Sequence, residues 1–226
     1  DAAVRSVHWD ASTHTVLIGT RGAEIFEMAD TDGSDINGRP LVAAHFAGSL
    51  TALDVAPQGS EVATGAGDAT LRLWDADSHK LLKMAVMEAP IQCLAYAPTN
   101  TRITVGMGPP LASPNDFDEP TPSVKLGEFV VLKQSDLSVV HRAADAKKPI
   151  ACIAYSPDGS AMACGSLDGT IYIYSTLDDS FELLCRCSGH TEDGTAAVLH
   201  VDFDKTGDHV RSNDEKRSEE RRVGKE

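Results

Sequence analysis

Short, alternating apolar runs punctuate the chain, and they begin at residues 4, 50, 91, 150 and 198. Val4-Arg5-Ser6-Val7-His8-Trp9, Ile91-Gln92-Cys93-Leu94-Ala95-Tyr96-Ala97-Pro98 and Val198-Leu199-His200-Val201-Asp202-Phe203 share one pattern. The longest match is between Leu50-Thr51-Ala52-Leu53-Asp54-Val55-Ala56-Pro57-Gln58-Gly59-Ser60 and Ile150-Ala151-Cys152-Ile153-Ala154-Tyr155-Ser156-Pro157-Asp158-Gly159-Ser160, one hundred residues later. It continues without a gap through Ala63-Thr64-Gly65 over Ala163-Cys164-Gly165. It then runs on through Asp68-Ala69-Thr70-Leu71-Arg72-Leu73-Trp74 over Asp168-Gly169-Thr170-Ile171-Tyr172-Ile173-Tyr174. Each unit reads as a first strand, a turn such as Ser156-Pro157-Asp158-Gly159, and a second strand of small residues ending in glycine. Proline fixes φ in that turn and glycine supplies the positive φ of the reversal. An Asp/Gly turn leads to a third strand over 170–174, and a fourth strand is expected over 181–185. No helical period competes with this alternation.

Four short strands every forty-odd residues predict an all-β chain of β-propeller blades. The expected units are 4–40, 45–88, 90–144, 149–188 and a partial unit over 190–214, about four and a half four-stranded blades of an incomplete propeller. The third unit is interrupted at 108–126 by about seventeen extra residues rich in Pro, Asp and Ser, expected as a surface loop between its second and third strands. Residues 215–226 show no strand periodicity and read as a non-native or disordered charged tail. The first residues, Asp1-Ala2-Ala3-Val4, carry no start methionine and no signal-peptide pattern, and read as an internal cut.

Composition narrows the partners. With 34 acidic against 20 basic residues the formal net charge is −14, which repels phosphate backbones and disfavours nucleic acid. No apolar stretch reaches membrane-spanning length. Protein partners are the expectation, together with the remaining blades of a longer chain. The five cysteines lie in strand-like contexts without disulfide-scaffold spacing, which points to a reducing, cytoplasmic setting.

Trp74-Asp75 after a third strand, Ala44-His45 before a first strand and Gly189-His190 before the last unit resemble the WD40 repeat. That resemblance implies a buried hydrogen-bond chain of His45, Thr64, Asp68 and Trp74, with partial versions using Asp168, Tyr174, His190 and Ser212. A buried aspartate needs donors, and imidazole and turn amides supply them. A catalytic triad would instead need an exposed nucleophile and an oxyanion hole. The other units replace Trp74 by Tyr174, Leu132 and Met28, and Thr64 by Cys164, Val105 and Ile18. A catalytic apparatus would not be so degenerate, so no catalytic residue is assigned. Cys185 and Cys187 share one strand face; zinc sites usually show a two-residue spacer and a second ligand pair, so the pair reads as strand packing. Asp116, Asp118 and Glu119 lack the glycine and terminal glutamate of a calcium loop. No cofactor or metal is expected.

More particular phrases resemble the echinoderm microtubule-associated protein-like family: Gly19-Thr20-Arg21-Gly22-Ala23-Glu24-Ile25-Phe26-Glu27, Ser78-His79-Lys80-Leu81-Leu82, Val105-Gly106-Met107-Gly108 resumed at Gly127-Glu128-Phe129-Val130-Val131-Leu132, and Ser212-Asn213-Asp214. The resemblance implies a non-enzymatic, cytoplasmic and cytoskeletal scaffold whose propellers bind tubulin or microtubule-associated partners. It also implies that attachment to the microtubule draws on a basic segment and a coiled coil, neither of which is visible in this sequence. A generic WD40 adaptor of a ciliary or ubiquitin-ligase complex is the alternative. An enzyme using propeller loops would need convergent acids or metal ligands on the rim, and the sequence offers none.

Overall fold

The computed structural model describes residues 4–20, 24–38, 40, 44–45, 49–109, 126–188 and 197–214, and the backbone of 218–222. The chain divides into two compact units, Asp1–Gly48 and Ser49–Glu226. The described residues contain strands and turns and no helix. The first unit holds one antiparallel sheet of β1 (Val4–Asp10), β2 (Thr15–Thr20) and β3 (Ile25–Ala29).

The second unit holds four antiparallel sheets, each a meander in sequence order. The first comprises β4 (Leu50–Val55), β5 (Glu61–Ala66), β6 (Thr70–Asp75) and β7 (Leu81–Val86). The next comprises β8 (Ile91–Tyr96), β9 (Arg102–Met107), β10 (Phe129–Lys133) and β11 (Val139–Ala143). A third is built from β12 (Ile150–Tyr155), β13 (Ala161–Ser166), β14 (Thr170–Ser175) and β15 (Leu183–Ser188). The last has β16 (His200–Phe203), β17 (His209–Asn213) and β18 (Ser218–Arg222). The all-β, blade-like reading of the repeat is thus what the chain forms. β9 and β10 pair directly, so residues 108–128 connect a second strand to a third, and 110–125 lie outside the described residues.

Two expectations are corrected. No strand is expected over 215–226, yet the backbone of Ser218–Arg222 pairs in register with β17, from Asn213↔Ser218 to His209↔Arg222. The open edge of β17 presents unpaired N–H and C=O groups, and these pair with any extended backbone whatever its side chains. The last sheet therefore has three strands rather than two. The fourth strand of the 149–188 unit begins at Leu183, not at 181. Phe181 adopts φ 48 and tucks its ring against His141 (centroids 5.2 Å apart) and under the Arg102 guanidinium at 5.4 Å. Its burial outweighs the strand extension that alternation alone suggests.

The first strands stand side by side in the order β4, β8, β12, β16, and each sheet packs its flat face on the next. Alternation explains which side chain goes where, because paired residues of neighbouring strands share a face. Ala52, Ala63, Leu71 and Leu73 meet Leu94, Tyr96, Ile103, Val105, Val130 and Leu132 across the first junction. Cys93, Phe129 and Val131 meet Met162, Cys164, Tyr172 and Tyr174 across the second. Cys152, Ala163, Ile171 and Ile173 meet Val201, Phe203 and Val210 across the third.

One contact recurs at all three junctions. The glycine near the end of each second strand lies under the residue that opens the next sheet. A Cβ on Gly65 would stand 2.5 Å from Ile91 Cγ2, one on Gly106 would stand 3.2 Å from Ile150 Cβ, and one on Gly165 would stand 2.7 Å from Val198 Cγ1. The carbonyl of the same opening residue accepts a hydrogen bond from the preceding first strand. Thr51 Oγ1 donates to Ile91 O, Cys93 Sγ to Ile150 O at 3.5 Å and Cys152 Sγ to Val198 O at 4.0 Å. β4, β8 and β12 also carry a register shift at their start, between Leu50 and Ala52, Ile91 and Cys93, and Ile150 and Cys152. Such bulges re-aim the chain locally. Gly165→Ala should lower stability by about 1–3 kcal/mol through overpacking against Val198 and Cys152, read as a lower urea midpoint.

Tyr155 and Tyr96 occupy matching places, but only one finds a partner. Tyr155 Oη is 2.5 Å from Thr104 Oγ1 of the preceding sheet. The residue matching Thr104 beneath Tyr96 is Ala63, and Tyr96 Oη is buried without a hydrogen-bond partner. Burial pushes the Tyr155 phenol up to about 12 and that of Tyr96 higher still. Tyr155→Phe should therefore cost about 1 kcal/mol, whereas Tyr96→Phe should be neutral or stabilising, because it removes a buried group that lacks a partner. Parallel thermal melts of the two variants compare them directly.

Candidate interaction surface and the hydrogen bonds that hold it

Trp74 and Thr64 are brought together. Trp74 pairs with Val62 across β5 and β6, which sets its indole diagonally over Thr64, and Nε1 donates to Thr64 Oγ1 at 2.8 Å. Thr64 is buried, and its hydroxyl receives the indole N–H rather than facing solvent as a nucleophile. Asp68 organises the turn that follows: its Oδ1 accepts from Thr70 N at 3.0 Å and from Thr70 Oγ1 at 2.7 Å. Beside it lies Arg72, 1% exposed, with Nη2 4.0 Å from Asp68 Oδ2 and Nε donating to Thr70 Oγ1 at 3.2 Å. Nothing in the sequence pattern marked Arg72, which stands two residues before Trp74. His45 is half-buried and belongs to the first unit, whereas Thr64, Asp68 and Trp74 belong to the second.

In the β12–β15 sheet the same positions are wired differently. Asp168 accepts from Thr170 N at 2.9 Å, as Asp68 does from Thr70, and also from Lys147 N at 2.9 Å. Its side-chain donor is Tyr172 Oη at 2.9 Å, from the position that Arg72 holds two sheets earlier. Tyr174, which matches Trp74 in the repeat, sends its hydroxyl to Asp145 at 3.1 Å and sets its ring edge-on to Phe129, centroids 4.9 Å apart. Cys164, in the place of Thr64, is an apolar neighbour in the same cluster, and Tyr174 turns to Asp145 instead. Burial, and then the Asp168 carboxylate, push the Tyr172 phenol up to about 12; burial raises Tyr174 as well. Ser212 is buried on β17 opposite Val201, the register place that Thr64 holds opposite Leu53. His190 lies outside the described residues, as do Asp116, Asp118 and Glu119.

The four first strands line a concave groove of about 650 Å³, with Thr51, Asp54, Gln92, Tyr155, His200 and Asp202 among its walls. Asp54 ties two of those strands: its Oδ2 accepts from Tyr96 N at 2.8 Å while Oδ1 accepts from Val55 N at 2.8 Å. Sequence alternation gave no hint of this bridge.

The rim formed by first-to-second and third-to-fourth strand turns is acidic. Asp75, Asp136, Asp158 and Asp178 each accept from the hydroxyl and the backbone N–H of Ser78, Ser138, Ser160 and Ser180. Those bonds, the serine hydroxyl first, hold the Asp75, Asp136 and Asp178 carboxyls below their ordinary value. On Asp204 the Thr206 hydroxyl does the same. A depressed folded-state pKa gives a contribution present above the ordinary carboxylate range and lost only as the pH falls below it. The rim therefore stays ionised through mildly acidic pH. Side chains also lock neighbouring sheets at this rim, through Gln134 Nε2 to Glu61 Oε2 at 2.5 Å and through the Arg102–Asp179 ion pair. Among the described residues no group of three or more His, Cys, Asp or Glu is placed to hold a metal ion.

Trp74→Phe removes the indole donor and should cost about 1 kcal/mol. Tyr172→Phe removes a donor to a carboxylate and should cost about 1.5 kcal/mol. Urea midpoints and indole N–H exchange measured on the parent and the Tyr172 variant check both.

The family model for the echinoderm microtubule-associated protein second beta-propeller matches residues 50–219. The chain is 27% identical over 176 residues to human echinoderm microtubule-associated protein-like 3, which covers 77% of this chain and 17% of that protein. It is 27% identical over 202 residues to human echinoderm microtubule-associated protein-like 1, covering 88% of this chain and 21% of that protein. Against the 77 kDa echinoderm microtubule-associated protein of Strongylocentrotus purpuratus it is 29% identical over 177 residues, covering 76% and 22%. The chain thus spans about a fifth of the length of these relatives. With the repeated sheets, their register and this match over most of its length, the chain belongs to the echinoderm microtubule-associated protein family, as part of its second β-propeller.

Proposed function

We propose that the chain is a non-enzymatic protein-interaction scaffold that binds tubulin or a cytoskeletal partner through the loops of one rim, in the cytoplasm. The observation that carries this reading is the match of residues 50–219 to a propeller of microtubule-associated proteins. The disposition of the polar side chains supports it. Asp54, Thr64, Asp68, Asp145 and Asp168 are engaged in bonds within or between sheets. Even Asp54, which lines the groove, has both carboxylate oxygens taken by backbone N–H groups, of Val55 and Tyr96.

Charge opposes attachment to the microtubule lattice. The microtubule surface is acidic, and so are the rim and the chain at −14. Like charges oppose association at physiological ionic strength unless a basic element intervenes. In this reading the scaffold engages soluble tubulin or another protein, and lattice attachment would need an added basic element. Purified chain should bind soluble tubulin dimers in a size-exclusion or interferometry assay, yet stay in the supernatant when taxol-stabilised microtubules are pelleted at physiological salt. Strong co-pelleting would contradict the charge argument. Failure to bind either form of tubulin would favour a scaffold for a different complex.

A further inference from the structure

Two of the five thiols stand apart from the rest. Cys93, Cys152 and Cys164 are buried inside the sheet junctions, while Cys185 and Cys187 are half-buried on the outermost strand β15. Residues two apart on a strand point to the same face. Both thiols look onto that face beside Ile171 and Ile173, their register partners on β14, and they pack against the third cluster. They interact with each other: burial first, and then the neighbouring Cys187 thiol, push the Cys185 thiol up to about 11. Arg186 between them points the other way, over the Tyr172 ring at 5.8 Å and toward Asp145 at 3.5 Å, so its guanidinium does not stand with the thiols.

This geometry resists a disulfide. Alternate residues of an extended strand lie roughly 6.6–6.8 Å apart, at the far end of the Cα separation a disulfide tolerates. A bridging ion relieves the mismatch by adding two metal–sulfur bonds, each about 2.3 Å for zinc. Zinc itself wants four ligands, and no further His, Cys, Asp or Glu completes such a set among the described residues. Soft ions of low coordination number need only the two sulfurs, and thiolates select copper(I) among them.

We propose that Cys185 and Cys187 form a two-thiol clamp for a soft, thiophilic monovalent metal ion, represented by copper(I). Binding is ligand exchange without redox change: copper stays in the +1 state, each thiol gives its proton to the buffer, and two copper–sulfur bonds form. Because Cys185 must lose its proton, affinity rises with pH by at least about tenfold per unit below the thiol's pKa.

The test titrates the reduced whole chain with copper(I) against a chromogenic copper(I) chelator. Expected are one ion per chain, loss of that complex in both Cys185→Ser and Cys187→Ser, an unchanged stoichiometry in Cys164→Ser, and tightening as the pH rises. A second measurement does not depend on variants folding. Copper(I) should protect the peptides bearing Cys185 and Cys187 from a bimane label that modifies them in the metal-free chain, with Cys93, Cys152 and Cys164 unlabelled throughout. Retained one-to-one binding in either half-site variant would overturn the proposal. So would no one-to-one complex in the parent chain, or protection without dependence on both thiols.

Discussion

The close approach of each first strand to the second strand of the sheet before it is the contact on which the rest of the second unit depends. Ile91, Ile150 and Val198 sit where a Cβ on Gly65, Gly106 or Gly165 would be. A hydroxyl or thiol of the preceding first strand holds the carbonyl of the same residue in place. Because the seat is a missing side chain, the sheets cannot slide past one another without closing the gap or clashing, so packing density fixes their spacing. The apolar faces follow from that placement, with alternate residues of each sheet divided between the junction before it and the junction after it.

The polar interior is secondary and improvised. In the β4–β7 sheet an indole donates to a threonine, and an aspartate organises the next turn with a buried arginine at its side. In the β12–β15 sheet a tyrosine replaces the arginine as the aspartate's neighbour, and a second tyrosine abandons the indole's role for Asp145. In both, the turn carboxylate is supplied with donors, and either sheet does so with the residues in reach. Where a substitution removes the partner without removing the polar group, as Ala63 does beneath Tyr96, the group is left unpaired. Such an atom is tolerated because apolar packing, not hydrogen bonding, carries the junction.

The second unit keeps much of its charged surface chemistry in the turns of one rim. Serine-capped aspartates recur around that rim, and the bonds from their own loops hold the Asp75, Asp136 and Asp178 carboxyls below their ordinary value. That arrangement stiffens each turn and fixes negative charge on the rim; in the proposed role, association through it would be sensitive to salt and to the partner's charge.

By itself the sequence determined the repeat, its strand order and its turns, because alternation, small residues before glycine and Asp/Gly reversals are local properties with a fixed period. A shared network of Thr64 and Trp74 is what the resemblance to the WD40 repeat implies, and the indole does donate to the threonine hydroxyl. Tertiary structure decided what depends on neighbours. Tyr174 faces Asp145 because Cys164 offers it no hydrogen bond, Asp54 reaches β8 because the first strands stand side by side, and Phe181 leaves its strand because Arg102 and His141 form a place for its ring. The edge of β17 draws Ser218–Arg222 into the sheet although those residues show no alternation, since backbone pairing asks nothing of the side chains. Local pattern sets the elements, while the partners of buried polar groups and of open edges are set by whatever the fold brings within reach.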